Sequence, residues 1–129
     1  KVRKGIDGKL DTAWSLLVKL KAGMKCEYCG KTTYLNSHHI FSRSKRSTRW
    51  NLNNGVCLCV GHHTFSSSFS AHKTGTEFTL WLYEYKGKKF MDLLRIKANS
   101  ISKLFTFEKE LLLKELQNEI KKLESNKRL

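Results

Sequence analysis

Apolar residues recur at helical intervals near the start of the chain and across most of its second half. Trp14 and Val18 are one helical turn apart, and Asp11 or Thr12 can cap a helix that runs to about residue 22. Three later stretches carry similar stripes, at about residues 76–86, 90–98 and 106–125. The first of the three is rich in aromatic residues, so a strand is the alternative there.

The middle of the chain has shorter apolar runs, which predict a β-hairpin. Residues 34–41 and 55–59 are the candidate strands, and the polar, basic segment 42–54 joins them. A further helix is expected after Gly61, because glycine can turn the chain. This order predicts an α+β fold in a single domain over residues 1–129. Its expected parts are a basic arm at 1–8, a helix at about 11–22, a core at about 24–75 and a helical extension at about 76–126.

The charge of the chain is strongly positive and unevenly distributed. Twenty-five Lys and Arg residues oppose eleven Asp and Glu residues, which gives a net charge of +14. No Asp or Glu occurs from Tyr28 to Thr76, where six Lys and Arg residues fall. Such a surface suits a polyanion, and nucleic acid is the first expectation. No apolar run approaches the ~20 residues that span a membrane, so we expect no membrane partner.

All four cysteines and four of the five histidines fall in less than a third of the chain. Two residues separate Cys26 from Cys29, and Cys59 and His62 repeat that spacing. Three thiolates and one imidazole can close a tetrahedral site for structural Zn²⁺. Residues two apart on a strand face the same side, so Cys57 is an alternative to Cys59, although the symmetry of the two pairs favours Cys59. Two disulfides are the other interpretation, but the nearby histidines favour reduced thiols and a cytoplasmic location.

Between the two pairs lies Ser37-His38-His39-Ile40, followed by Asn54 and then by Leu58-Cys59-x-x-His62-His63. This order resembles the HNH endonuclease family in its zinc-bearing branch, and it looks most like the small HNH proteins of bacteriophages and mobile elements. The resemblance covers about residues 24–65, with a weaker likeness around Ala71-His72-Lys73. It implies a ββα-metal fold, in which a two-stranded hairpin and a helix hold one divalent ion, and a location inside the host cell.

By the same resemblance, His39 is the general base and His38, which precedes it, is a ligand of the catalytic ion. His63 supplies another ligand to that ion from the start of the helix. Asn54 braces the loop and orients the base. The sequence departs from many of these nucleases at His62, where they have a fourth cysteine.

The residue types suit phosphodiester hydrolysis without the family name. A neutral imidazole can take a proton from water at physiological pH. Neighbouring strand residues point to opposite sides, so His38 and His39 are expected to divide metal binding and proton transfer. His62 and His63 are about 100° apart on a helix and can face two different ions. An ion with only two protein ligands keeps positions open for phosphate and water, and Mg²⁺, Mn²⁺, Ni²⁺ and Zn²⁺ are all candidates.

The basic loop between the strands is expected to hold phosphates on both sides of the cut. Arg49 is the expected closest contact to the scissile phosphate and Arg43 the second, with Lys45 and Arg46 beside them and His72 as a further phosphate contact. A solvated loop without this role is the alternative. No helix carries an evident set of base-reading side chains, so we expect weak sequence preference.

These features predict a metal-dependent HNH endonuclease that nicks or cuts DNA. The alternative is a zinc-bearing nucleic-acid-binding module without catalysis, in which the paired histidines are structural. A monomer is favoured, because the C-terminal apolar stripe covers fewer than three full heptads, and a dimer through this helix is the other interpretation.

Overall fold

The computed structural model describes residues 5–127, which combine helices with one small sheet. The helices are α1 (Ile6–Lys21), α2 (Gly75–Lys86), α3 (Lys88–Ala98) and α4 (Thr106–Lys127), and the strands are β1 (Leu35–His39) and β2 (Gly55–Cys59). A 3₁₀ turn at Leu52–Asn54 precedes β2, and a π-helical turn at Gly61–Phe65 follows it. This mixture confirms the predicted α+β class, and the aromatic stretch that allowed a strand is helical. Within the described residues, every helix is too short or too polar to traverse a lipid bilayer.

Helix α1 begins earlier than its sequence pattern indicated. Gly5 has extended backbone and precedes the first turn, so Asp11 and Thr12 lie inside the helix and do not cap it. Of the predicted basic arm, residues 1–4 lie outside the described residues and the part from Ile6 onward is helical. The capping signal failed because Asp11 uses its carboxylate to accept from Arg49 and Trp50, while Thr12 donates to the carbonyl of Gly8 within the helix.

Strands β1 and β2 pair in antiparallel register, which places His39 opposite Gly55. Gly55 lies directly against α1, where an added Cβ atom would overlap Val18 and come within 2.9 Å of a ring carbon of Trp14. The sheet therefore approaches the helix at a residue that has no side chain. This close contact brings the hairpin and α1 together around one apolar cluster.

The sheet lies between two apolar clusters. On one side α1 packs against the hairpin and α4, in a cluster that includes Leu10, Trp14, Leu17, Trp50, Cys57 and Leu116. On the other side α2 and α3 cover the sheet, in a cluster that includes Cys26, Val56, Leu58, Phe78, Leu82 and Met91. The apolar stripe of α4 packs on α1 of the same chain through Leu112, Leu113, Leu116, Ile120 and Leu123.

Candidate metal centres

Cys26, Cys29, Cys59 and His62 form the first of two groups of possible metal ligands, and their ligand atoms all lie within 4.8 Å of one another. The Sγ atoms of Cys29 and Cys59 are 3.8 Å apart, and Nδ1 of His62 lies 3.2 Å from Sγ of Cys59 and 3.9 Å from Sγ of Cys26. A tetrahedral zinc with bonds of 2.0–2.3 Å has ligand atoms about 3.3–3.8 Å apart. The group therefore has dimensions that fit a tetrahedral ion.

Backbone geometry and polar contacts prepare this group for a cation. Cys26 and Cys29 occupy a tight turn closed by the amide of Gly30, which donates to the carbonyl of Cys26 at 2.8 Å. Burial opposes ionisation of Cys26, but backbone amides of Cys59 and Cys29 and the ring of His62 outweigh it and lower the pKa of Cys26 to about 6. Burial and the neighbouring thiols raise the pKa of Cys29. Ionised thiols this close repel one another, and a divalent cation would offset the repulsion.

Cys57 lies outside this group. Its side chain is fully buried in the cluster that includes α1, and burial, with Glu27 and Cys26 nearby, raises its pKa to about 11. Its amide donates to Oε2 of Glu27 at 2.7 Å, which joins the cysteine turn to β2. Of the two alternatives left by the spacing, the structure places Cys59 with the other ligands, because Cys59 ends the strand where the chain turns towards His62.

His38, His63 and His72 form the second group, and their ligand atoms also lie within 4.8 Å of one another. His38 projects from β1 and His63 from the π-helical turn. The Nε2 atoms of His63 and His72 are 3.1 Å apart, which matches the roughly 3.0–3.4 Å between adjacent nitrogens on an ion with bonds of 2.0–2.1 Å. We refer to these three residues as the histidine trio.

His72 joins the trio because the loop before α2 pairs with the π-helical turn. The amide of His72 donates to the carbonyl of His63 at 3.1 Å, and the amide of Ala71 donates to the carbonyl of His62 at 2.9 Å. The sequence pattern indicated a phosphate contact for His72 and only His38 and His63 as ligands of the second ion. The position of His72 in the carboxylate-free segment was the available signal, but no regular spacing linked it to the other histidines.

Two members of the trio, His38 and His63, are held in the neutral state that a metal ligand needs. Burial lowers the pKa of His38 to about 3, and the nearby rings of His63 and His72 act in the same direction. Burial and His72 likewise lower the pKa of His63. Imidazole ligands suit zinc, nickel, copper or iron better than magnesium, which prefers oxygen ligands. The donor set therefore fits a divalent transition metal.

His39 faces the opposite side of β1 from His38. Its ring stacks on Trp14 with centroids 3.8 Å apart, and its Nε2 lies 3.0 Å from the carbonyl oxygen of Arg49. A carbonyl only accepts hydrogen bonds, so Nε2 carries the proton and Nδ1 keeps a lone pair. Burial lowers the pKa of His39 below its ordinary value, so the ring is neutral at physiological pH.

Asn54 is fully buried and fastens the loop between the strands. Its Oδ1 accepts from the amide of Phe41 at 2.7 Å, and its Nδ2 donates to the carbonyl of Phe41 at 3.0 Å. The backbone carbonyl of Asn54 also accepts from the amide of Ile40 at 2.9 Å. Both edges of the amide are therefore used, and they hold the chain that leaves β1 beside His39.

The expected contact between Arg49 and the scissile phosphate does not fit this arrangement. Arg49 is 7% exposed, and its Nε and Nη2 atoms donate to the two carboxylate oxygens of Asp11 at 3.1 and 2.7 Å. The indole of Trp50 donates to the same carboxylate at 2.8 Å. Burial next to a carboxylate removes this guanidinium from the surface that a phosphate can reach.

The other basic residues of the loop are exposed. Arg43 lies 3.4 Å from Asp11 at the surface, Lys45 donates to the side chain of Asn99 at 3.1 Å, and Arg46 is also exposed. The hydroxyl of Ser47 donates to the carbonyl of Lys97 at 2.6 Å. The loop is therefore fastened to the end of α3, and its exposed cations remain candidates for phosphate contacts.

The two groups of possible ligands are adjacent, because His62 and His63 are neighbours in the π-helical turn and belong to different groups. No protein-family model, curated protein or solved structure matches the chain. Support for a function therefore comes from the residues and their geometry.

Proposed function

We propose that this chain is a metal-dependent HNH endonuclease that hydrolyses DNA phosphodiester bonds. The observation that carries the proposal is the histidine trio, whose three imidazoles lie within ligand distance of one another beside the Cys26, Cys29, Cys59 and His62 group. An ion held by the cysteine group would be structural, because four protein ligands close a tetrahedral site. An ion held by the three histidines would keep positions free for water and phosphate.

In this proposal the trio would hold the catalytic ion. Its imidazole ligands carry no negative charge, so they would not offset the positive charge of the ion. A divalent ion bound there supplies positive charge for a phosphate and lowers the pKa of a water molecule. His39 acts as the general base through Nδ1, because its Nε2–H is engaged by the carbonyl of Arg49. Asn54 holds the same backbone segment and is a positioning residue. Arg43, Lys45 and Arg46 contact phosphates on either side.

The test is a plasmid-nicking assay with Mg²⁺, Mn²⁺, Ni²⁺ or Zn²⁺ added singly. We expect wild-type protein to nick supercoiled DNA with at least one ion, and His39→Ala to be slower by about 10²–10⁴-fold, the usual contribution of a general base. His39→Ala should keep its zinc and its affinity for DNA. Cleavage by His39→Ala at the wild-type rate would contradict the assignment.

A zinc-bearing nucleic-acid-binding module without catalysis is the second candidate. The stacking of His39 on Trp14 favours it, because a packed imidazole that bonds to a backbone carbonyl also serves as a structural residue. This candidate predicts that wild-type protein binds DNA and cuts with none of the four ions. It also predicts that His39→Ala loses thermal stability, which a melting curve would detect.

A further inference from the structure

A cavity of ≈ 390 Å³ lies beside the histidine trio, between the end of β1 and helices α2 and α3. Half-buried Ile40, Phe41 and Tyr83 line it, and the buried side chains of Phe78, Leu82 and Met91 lie beneath them. Its size falls within the range of pockets that hold small organic molecules, roughly 300–1,000 Å³. The cavity is therefore large enough for a planar group of the size of a nucleobase.

One wall of the cavity belongs to the proposed catalytic centre. His38 lines the cavity and is also a member of the trio. Its ring meets the ring of Phe78 edge to face, with centroids 5.2 Å apart. A molecule in the cavity would consequently touch both an aromatic wall and a residue next to the reacting phosphate.

Helix α3 contributes a cation to the wall of the cavity. Arg95 lines the cavity from α3 and is exposed, and no carboxylate within residues 5–127 lies at ion-pair distance from it. Arg49 is paired with Asp11 and buried, whereas Arg95 is an available guanidinium on the cavity that His38 also lines. Guanidinium groups bind phosphate through paired N–H donors.

An apolar space with a guanidinium at its edge is complementary to one nucleotide. The faces of a base favour apolar and aromatic surroundings, while its phosphate requires a cation. A base stacked and paired within a duplex cannot enter such a space, and an unpaired base can do so at little cost. The chain's net charge of +14 favours this polyanionic ligand over an uncharged one.

We propose that this cavity takes one unpaired nucleotide of a DNA substrate, with Arg95 contacting its phosphate. The proposal rests on the proposed nuclease function and narrows its substrate to DNA that contains an unpaired or extrahelical nucleotide. Such DNA includes bulges, flaps and branch points.

A binding experiment tests the site without any cleavage. The probe is a hairpin DNA with a single unpaired 2-aminopurine, compared with the same hairpin fully paired, and the zinc-loaded full chain is titrated without further metal. We expect the unpaired probe to bind about tenfold more tightly, equivalent to about 1.4 kcal/mol and within the contribution of one stacked base, with a change in 2-aminopurine emission. Equal affinity for the two probes would overturn the proposal.

Two variants separate the cavity from the overall charge. Arg95→Gln should reduce the preference for the unpaired probe, whereas Lys89→Gln, which removes the same charge from the same helix away from the cavity, should leave the preference unchanged. Thr79→Trp places a large ring at the exposed rim of the cavity and should also remove the preference. Equal effects of Arg95→Gln and Lys89→Gln, or full preference in Thr79→Trp, would overturn the proposal.

Cleavage of the same two hairpins distinguishes this proposal from the function on which it rests. Faster nicking of the unpaired hairpin supports both. Equal nicking of both hairpins overturns the nucleotide site and leaves the nuclease intact. Selective binding with no nicking by any ion overturns the nuclease and supports the nucleotide site as part of a DNA-binding module.

Discussion

Asp11 lies at the centre of the contacts that bury Arg49 and Trp50 in the loop between the strands. It accepts hydrogen bonds from Arg49 and from Trp50, and Arg43 lies near it at the surface. As a sequence feature it indicated a helix cap, and Arg49 indicated a phosphate contact. The two residues instead neutralise each other, because a buried guanidinium is stable only with a partner. A single ion pair thus removes one cation of the loop from the exposed surface.

We expect Asp11→Asn to lower the free energy of unfolding by about 3 kcal/mol, because it leaves Arg49 buried without a counter-charge. Urea unfolding at neutral pH measures this decrease. Asp92→Asn is the matched control, since Asp92 pairs with Lys88 at the surface and its replacement should change little. A decrease in Asp11→Asn no larger than in the control would contradict the structural role.

The contribution of Asp11 should also depend on pH in a defined direction. Burial opposes its ionisation, but the hydrogen bonds from Arg49 and Trp50 outweigh it and hold the pKa of Asp11 below its ordinary 3.8. The stabilisation is therefore complete above about pH 4 and is lost as the pH falls through the lower folded-state pKa. The free energies of unfolding of wild type and Asp11→Asn should become similar once the pH is below the folded-state pKa of Asp11. A constant difference down to about pH 2 would exclude this origin.

Cys57 and Cys59 should respond differently to substitution. We expect Cys59→Ala to lose bound zinc, because its sulfur lies with those of Cys26 and Cys29, and Cys57→Ala to keep it, because Cys57 packs in the cluster around α1. Metal analysis of the purified variants measures both. Loss of zinc from Cys57→Ala with normal zinc in Cys59→Ala would reverse the assignment.

At the scale of elements, the π-helical turn determines which histidine serves which group. The amide of Ser66 donates to the carbonyl of Gly61 at 2.8 Å, a wider turn than the α-helix expected there, and such turns often occur at functional sites. His62 and His63 therefore diverge, one towards the cysteines and one towards the trio. The sequence predicted a helix after Gly61 without fixing its length, and the turn ends at Phe65, where the serine-rich segment that follows does not continue it.

The contact between β2 and α1 depends on Gly55. We expect Gly55→Ala to lower the free energy of unfolding by about 1–3 kcal/mol, the usual cost of overpacking, because its Cβ would overlap Val18. Chemical denaturation measures the change. Gly75→Ala is the control, since nothing lies within 4 Å of a Cβ there. Similar stability of the two variants would show that α1 moves away at no cost.

At the scale of the whole molecule, six of the seven candidate metal ligands come from a segment that has cations and no carboxylate. The net charge is +14, and the segment from Tyr28 to Thr76 contains no carboxylate. Exposed Arg43, Lys45 and Arg46 extend this surface along the loop, while Arg49 lies beneath it. A surface of this kind should bind DNA largely through phosphates, with a strong dependence on salt.

We expect Arg43→Gln combined with Arg46→Gln to flatten the dependence of log affinity on log salt by about 0.9 for each phosphate that the variant no longer neutralises. DNA binding measured across about 50–200 mM salt gives the slope. Lys121→Gln combined with Lys122→Gln removes the same charge from exposed positions on α4 and should leave the slope nearly unchanged. An equal slope for both double variants would place the DNA elsewhere.

The sequence by itself determined the features that depend on neighbouring residues. Apolar stripes predicted the helices, because the residues on one face of a helix recur every three or four positions. The two pairs at Cys26 and Cys59 predicted the cysteine-histidine group, because each pair is local to a turn and only the approach of the two turns is a long-range event. The hairpin followed from two short apolar runs on either side of a polar loop.

Only the tertiary structure decided which distant residues meet. His72 lies in the trio because its backbone pairs with the π-helical turn. Arg49 is buried because it pairs with Asp11, which lies on helix α1. Cys57 packs in the cluster around α1, and the ring of His39 stacks on Trp14. These outcomes depend on which faces pack together, and a linear spacing carries no information about a partner supplied by a separate element.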